Sequence, residues 1–198
     1  MKYIIMAAGA GTRWNNYLGV PKHLIEINGE TLLGRTTRLL KENGVEDYII
    51  TCADPRYKQY GPTSPQSHHD CEIDRFEESL VDGPVCYLYG DVYYTENAIK
   101  TIVETQTDDI LFFGHEYEIF AIKIVNRELF FKCKATVKQL YMTHQIGRCI
   151  GWEVYRCMHN IPYEKHYITD RYVKILDGTD DIDYPYEYEA FKKKWEAK

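Results

Sequence analysis

The stretch Tyr3–Lys22 constrains this chain more than any other: Y-I-I-M-A-A-G-A-G-T-R-W-N-N-Y-L-G-V-P-K. The apolar run Tyr3, Ile4, Ile5, Met6 predicts a short buried strand. It breaks into Ala7, Ala8, Gly9, Ala10, Gly11 and Thr12, and then into charge at Arg13 and Lys22. Side chains this small let the backbone approach a ligand closely, and glycine accepts the turns this requires. Successive N–H groups in such a turn converge on an anion. With cations at either end, the stretch reads as a loop for a nucleoside triphosphate.

A net charge of −6 gives no global attraction to nucleic acid, so phosphate binding has to be local. At 198 residues, 44% hydrophobic and 27% charged, the chain is expected to form one domain, residues 1–198, with a substantial core. No apolar run approaches the ~20 residues that span a bilayer, and no signal-peptide pattern opens the chain. A cytoplasmic protein is expected, with neither nucleic acid nor membrane as partner. Cys52, Cys71, Cys86, Cys133, Cys149 and Cys157 are scattered without a C-x-x-C pair, so they read as reduced core thiols.

Beyond the opening strand, Leu24–Glu30 reads as an extended piece turning at Asn28-Gly29. Thr31 caps a helix to about Asn43, and Gly44 stands where a C-terminal cap belongs. Asp47–Cys52 is the second strand, which begins a parallel β–α–β sheet. Ala53–Asp74, with three prolines and His68-His69-Asp70, reads as a long loop with room for one short strand. Pro84–Tyr89 is a strand, Glu96–Thr105 a helix capped by Thr95, and Asp109–Phe113 and Tyr117–Val125 a strand pair. Helices over 126–143 and 150–159, a strand over 172–176 and a helix opened by Pro185 complete the order.

Two common phosphate loops do not fit. A P-loop needs G-x-x-x-x-G-K-[ST], which is missing here. The dinucleotide fingerprint G-x-G-x-x-G would place Trp14 at its third glycine, where an indole obstructs helix–strand packing. A third pattern does fit: A-A-G-A-G-T-R-W (Ala7–Trp14), P-K-H-L (Pro21–Leu24) and I-N-G-E-T-L-L (Ile27–Leu33). In this order they resemble the nucleotidyltransferase superfamily with a Rossmann-like fold. That group includes sugar-1-phosphate nucleotidylyltransferases, phosphocholine cytidylyltransferases and molybdenum-cofactor guanylyltransferases.

The resemblance implies a three-layer α/β/α fold of the nucleotide-diphospho-sugar transferase type, with a mostly parallel central sheet. It implies transfer of a nucleotidyl group from an NTP to a small phosphorylated acceptor, releasing pyrophosphate. A sugar-1-phosphate or a phosphocholine-like compound for polysaccharide or lipid decoration is the expected acceptor. Ala7, Ala8, Gly9, Ala10, Gly11 and Thr12 would hold the triphosphate. Arg13 and Lys22 would balance charge at the reacting phosphorus. A molybdenum-cofactor guanylyltransferase and a non-catalytic nucleotide- or sugar-nucleotide-binding module are the alternatives. The short chain, without a visible dimerisation arm, points to a monomer or weak homodimer.

Attack of one phosphate on another brings anion to anion, and a divalent metal offsets that repulsion. Mg²⁺ takes hard oxygen ligands, commonly one or two carboxylates with phosphates and water. Asp91 meets the requirement at a strand end, after Tyr89-Gly90, where open α/β sheets bind ligands. The family's strand-end G-D motif agrees. In D-D-I-D-Y-P-Y-E, Asp181 and Asp183 share one face of an extended segment. The run resembles the family's D-I-D-T-P-E-D, which assigns the second metal ligand to Asp183, with Asp181 as helper. Tyr184 replaces the usual threonine.

The middle of the chain carries less information. Arg75–Leu80 lacks the glycines that precede the family's base-contacting serine, leaving Ser79 as the base-side candidate. Trp152, Tyr155, Tyr167 and Tyr172 are candidates for an acceptor wall, with core packing the commoner use of such residues. Aromatics with excess acid suit a quaternary ammonium, and a sugar stacked on an aromatic face fits as well. His144, His159 and His166 read as surface or core, because an already ionised phosphate acceptor needs no general base.

Overall fold

The computed structural model describes residues 1–52, 54–66 and 70–196. Strand β1 (Lys2–Met6) leads, through the loop and two single-turn helices, to a ribbon of β2 (Glu26–Ile27) and β3 (Glu30–Thr31). Asn28 and Gly29, at φ 54° and 74°, make the tight turn between them. Helix α1 (Leu32–Glu42) starts where Thr31 Oγ1 accepts from Gly34 N–H at 3.0 Å. It ends at Asn43, with Gly44 at φ 76°. Then follow β4 (Tyr48–Thr51), β5 (Thr63–Ser64), β6 (Val85–Tyr89), β7 (Val92–Tyr93) and α2 (Glu96–Glu104). The strand pair is β8 (Ile110–Gly114) and β9 (Ile119–Ile124), followed by α3 (Arg127–Met142) and α4 (Gly151–His159). Last come β10 (Tyr172–Lys174), β11 (Asp180–Asp181) and α5 (Pro185–Glu196).

Among the described residues, seven strands form the central sheet in the order β10-β8-β9-β6-β1-β4-β5. Only β9 runs against its neighbours, β6 and β8, so the sheet is mostly parallel. The expected long loop after β4 holds more order than its composition suggests. Asp54 caps a 3₁₀ turn over Pro55–Tyr60, and the two residues of β5 extend the sheet edge. His68 and His69 lie outside the described residues.

Alternation along β1 explains the layers. Tyr3, Ile5 and Ala7 face a core built with Leu33, Leu39 and Leu40 of α1 and Ala98, Ile99 and Ile102 of α2. Ile4 and Met6 face the opposite core, with Phe130 and Val137 of α3 and Val154 and Tyr155 of α4. A central parallel strand must be apolar on both faces, as this one is. Complete burial of each such side chain is worth about 1.5–3 kcal/mol. A third cluster joins Trp14, Ile25, Ile27, Leu32 and Tyr93 to Ile182, Tyr188 and Phe191, which ties α5 under the opening loop. Among the described residues, no helix is long and apolar enough to cross a membrane.

The topology sets where a ligand would enter. From β1 the chain moves to β4 on one side and later returns to β6 on the other. The carboxyl end of β1 is thus a switch point in strand order, where open α/β sheets leave a crevice.

Candidate active site

The loop after β1 sits in that crevice. Ala7 N–H donates to Thr51 C=O at 3.1 Å, and Gly90 N–H donates to Met6 C=O at 3.0 Å, so three strand ends meet. A Cβ at position 90 would come within 2.7 Å of the Met6 carbonyl oxygen, so only glycine permits this junction. Gly11, at φ 61°, turns the loop back, and Trp14 closes it by donating its indole N–H to Val20 C=O at 2.8 Å. The indole that argued against dinucleotide packing is the anchor of this loop.

Two cavities flank the loop and share Gly9, Ala10, Gly11, Trp14 and Lys22. The larger, about 590 Å³, continues from Ala7 and Ala8 to Cys52, Asp54, Tyr57 and Gln66. The smaller, about 360 Å³, holds Thr12, Arg13, Asp91, Asp181 and Asp183, and extends to Glu118 and Trp152.

Lys22 is at the junction. Pro21 feeds it into a 3₁₀ turn, and its side chain is 9% exposed. Its Nζ lies 2.5 Å from Asp91 Oδ2 and 2.7 Å from Asp183 Oδ1. Arg13 pairs with the other oxygen of Asp183. The aspartates meet because β7 and β11 form an antiparallel ribbon, with Asp181 opposite Val92 and Ile182 N–H bonded to Asp91 C=O at 3.0 Å. Glu187 of α5 accepts from the N–H groups of Asp183 and Tyr184, at 2.8 and 2.9 Å. It thereby satisfies the helix entry and leaves the Asp183 carboxylate to the cations.

Charge in the site is unevenly balanced. Burial pushes the Asp91 carboxyl up, but Lys22, with His23 and Arg75, outweighs it and brings the group down to about 2. Burial pulls Lys22 down, and Asp91 and Asp183 reverse this to a net rise. Among the described residues Asp181 has no ion pair: burial, then Glu118, Asp183, Asp91 and Asp180, push it up to about 8. Burial also raises Glu118 and Glu72, and lowers His23 to about 4. His23 is held neutral against Tyr57, with Nδ1 2.9 Å from the hydroxyl oxygen.

A carboxyl that ionises near 4 in the unfolded chain and near 8 in the fold keeps its proton longer when folded, so stability falls as pH rises between those values. Asp181→Asn removes this dependence. Without metal or nucleotide, its melting temperature relative to the parent should climb from about pH 4 to about pH 8. A difference that stays constant would mean that the neighbouring carboxylates do not press on Asp181.

The candidate residues divide by location. Ala7 and Ala8 line the larger cavity, Thr12 the smaller, and Gly9, Ala10 and Gly11 both. Arg13, Lys22, Asp91 and Asp183 are joined by ion pairs, and Asp181 lines the same cavity. Ser79 is not brought there. It is exposed on the 3₁₀ turn Glu78–Leu80 and lines neither cavity, because without the glycines the segment coils away on the surface. Of the four aromatics, Trp152 alone reaches a cavity. Tyr172 stacks behind it at 5.6 Å, Tyr155 bonds Asp170 C=O, and Tyr167 is exposed.

Several lining residues were not singled out for a role in the sequence. Gln66 has both amide atoms buried in the larger cavity region and, among the described residues, without a hydrogen-bond partner. Arg75 lies against Gly9, its terminal nitrogen 3.3 Å from where a Cβ would stand, and its buried Nε has no hydrogen-bond partner among the described residues. Glu72 accepts from Tyr89 Oη at 2.7 Å and Gly151 N–H at 2.9 Å. Their segment has no period to follow, and only its polar residues between prolines could have flagged it.

Known proteins resemble this chain in sequence and in fold. Residues 3–136 match the MobA-like NTP transferase domain. Over 130 residues, 57% of the chain, the sequence is 28% identical to glucose-1-phosphate cytidylyltransferase of Salmonella typhimurium. Over 60 residues, 29% of the chain, it is 40% identical to the bifunctional IPC transferase and DIPP synthase of Thermococcus kodakarensis. These matches span 48% and 13% of the two relatives' own lengths. The structure of CTP:phosphocholine cytidylyltransferase from Streptococcus pneumoniae superposes with a TM-score of 0.60 at 15% identity, covering 97% of both chains. With two thirds of its residues inside the matched region and the strand-end site in place, the chain belongs to the MobA-like NTP transferase domain family.

Proposed function

We propose that this protein transfers a nucleotidyl group, with CTP as donor, to a small phosphomonoester and releases pyrophosphate. The observation that carries this reading is Lys22 between Asp91 and Asp183, under the small-residue loop where the two cavities meet. The larger cavity suits a base and ribose. Gln66 offers a buried amide donor and acceptor there, a pairing able to read a base edge. The two cytidylyltransferases among the relatives favour cytosine.

The smaller cavity suits the phosphates and the acceptor. An acceptor phosphate oxygen attacks the α-phosphorus, the new P–O bond forms, and the α–β bridging bond breaks with its electrons going to pyrophosphate. The chain contributes charge and position. Lys22 and Arg13 offset negative charge as it spreads over the phosphoryl oxygens. Loop N–H groups orient the donor so that acceptor and phosphorus are aligned. Arg75 is without an ion-pair partner among the described residues and reaches the same cavity, which suits the acceptor phosphate.

The donor set also fits a divalent cation. Two carboxylates already converge on one positive charge, and Asp181 lines the same cavity. Hard oxygen donors of this kind, completed by phosphates and water, suit Mg²⁺. Asp91 and Asp183 would hold it, with Asp181 assisting. Bound there, it would supply electrophilic charge to the phosphates.

A pyrophosphate-release screen of CTP, UTP, GTP and dTTP against sugar-1-phosphates and phosphocholine, with Mg²⁺, tests the reading. Release with CTP supports it, release with GTP alone favours a cofactor guanylyltransferase, and nucleotide binding without turnover favours a binding module. Arg75→Ala should lower kcat/KM for the acceptor about 10–100-fold, the worth of a hydrogen bond to a charged group, while the KM for CTP changes little. A loss confined to CTP would move Arg75 to the donor side.

A further inference from the structure

Two sulfurs beside the acceptor wall have no part in the transfer. Cys71 Sγ and Cys149 Sγ, 78 positions apart in sequence, are 2.6 Å from one another. Both are free thiols. An S–S bond is ~2.05 Å long, so a small approach would close it. The segments around them are already joined by a backbone bond and by the Glu72 carboxylate. Ile73 N–H donates to Cys149 C=O at 3.4 Å, and Gly151 N–H to Glu72 at 2.9 Å. Closure therefore need not draw separate elements together, the distortion that weakens many engineered disulfides.

The two thiols differ in setting. Cys71 is half-buried and so the more accessible of the two, with Lys138 Nζ and Asp74 Oδ2, themselves paired at 2.6 Å, each 3.6 Å from its sulfur. Cys149 is 3% exposed, and burial beside Cys71 pushes its thiol up. We infer that Cys71 and Cys149 are a reversible thiol–disulfide modification site, with Cys71 the peroxide-reactive thiol and Cys149 the resolving one.

The chemistry balances with a hydroperoxide as oxidant. The Cys71 thiolate attacks one peroxide oxygen, the O–O bond breaks, and hydroxide leaves, giving a sulfenic acid. Cys149 sulfur then attacks Cys71 sulfur, the S–S bond forms and the S–O bond breaks. The departing oxygen leaves as water with the Cys149 proton. Two thiols lose two electrons, and hydrogen peroxide becomes two waters. A dithiol reductant reverses the step. The bond would staple the Glu72 and Arg75 segment to the start of α4, which carries Trp152, and so stiffen one wall of the smaller cavity.

The test uses the intact chain, treated with hydrogen peroxide, alkylated and mapped by mass spectrometry without reduction. The expected result is a loss of two hydrogens, one Cys71–Cys149 cross-linked peptide and four alkylated cysteines, all reversed by dithiothreitol. The oxidised chain should melt roughly 5–10 °C higher, because the bond closes a long loop in the unfolded state. Cys149→Ser should accumulate a dimedone-trappable sulfenic acid at Cys71. Six alkylated thiols after peroxide, a cross-link through Cys133 or Cys157, or over-oxidation of Cys71 without a cross-link would each overturn the assignment. The wild-type map decides even if the serine variant does not fold, and it is independent of whether the chain transfers nucleotides.

Discussion

Lys22→Ala should lower the turnover of pyrophosphate release by about 10²–10³-fold, the loss expected for one preorganised electrostatic group. Its ammonium lies 2.5 and 2.7 Å from Asp91 and Asp183, at the meeting point of the two cavities. Charge developing on the transferred phosphoryl group would meet Lys22 where water is scarce, so the interaction strengthens toward the transition state. A drop in kcat together with kcat/KM is the diagnostic result. If KM alone rises, Lys22 binds ground state and transition state equally, and the assignment fails. The substitution also leaves a buried Asp91 carboxylate without its principal partner, at a cost of as much as about 3–5 kcal/mol. Kinetics should therefore accompany a thermal melt, and Lys22→Arg, which keeps the charge, should recover stability more fully than turnover.

Asp91→Asn is expected to reduce turnover at least as strongly, by about 10³-fold or more, and to abolish its response to Mg²⁺ concentration. The side chain is 14% exposed and its carboxyl is held at about 2, so it is ionised at every working pH. That ionisation is a stability contribution present above the unfolded value near 4 and lost as pH falls through about 2. The asparagine keeps the volume beneath Gly90 and removes only the charge, which separates the metal and charge role from packing. A variant running at full rate with unchanged Mg²⁺ dependence would remove Asp91 from the metal site and leave Asp183 and Asp181 to explain it.

Much of the fold was legible because its signals are local. The apolar run of β1, the cap at Thr31 and the glycines at 29 and 44 each act within a few residues, and each element formed where they indicated. Conversely, Ser79 followed a family pattern whose glycines are missing here, and the backbone turned that segment outward. The cysteines were legible as free thiols, but the contact of Cys71 with Cys149 was not.

By itself the sequence determined the phosphate-loop chemistry, the cations at its ends and the two acidic segments, since residue type and short spacing encode these. Only the tertiary structure decided that Lys22, not solvent, separates Asp91 from Asp183, and that Asp181 is buried among carboxylates that hold its proton on. Lys22 and Asp183 are 161 positions apart. Their contact depends on strand order in the sheet and on the β7–β11 ribbon, which no short-range pattern in the chain specifies.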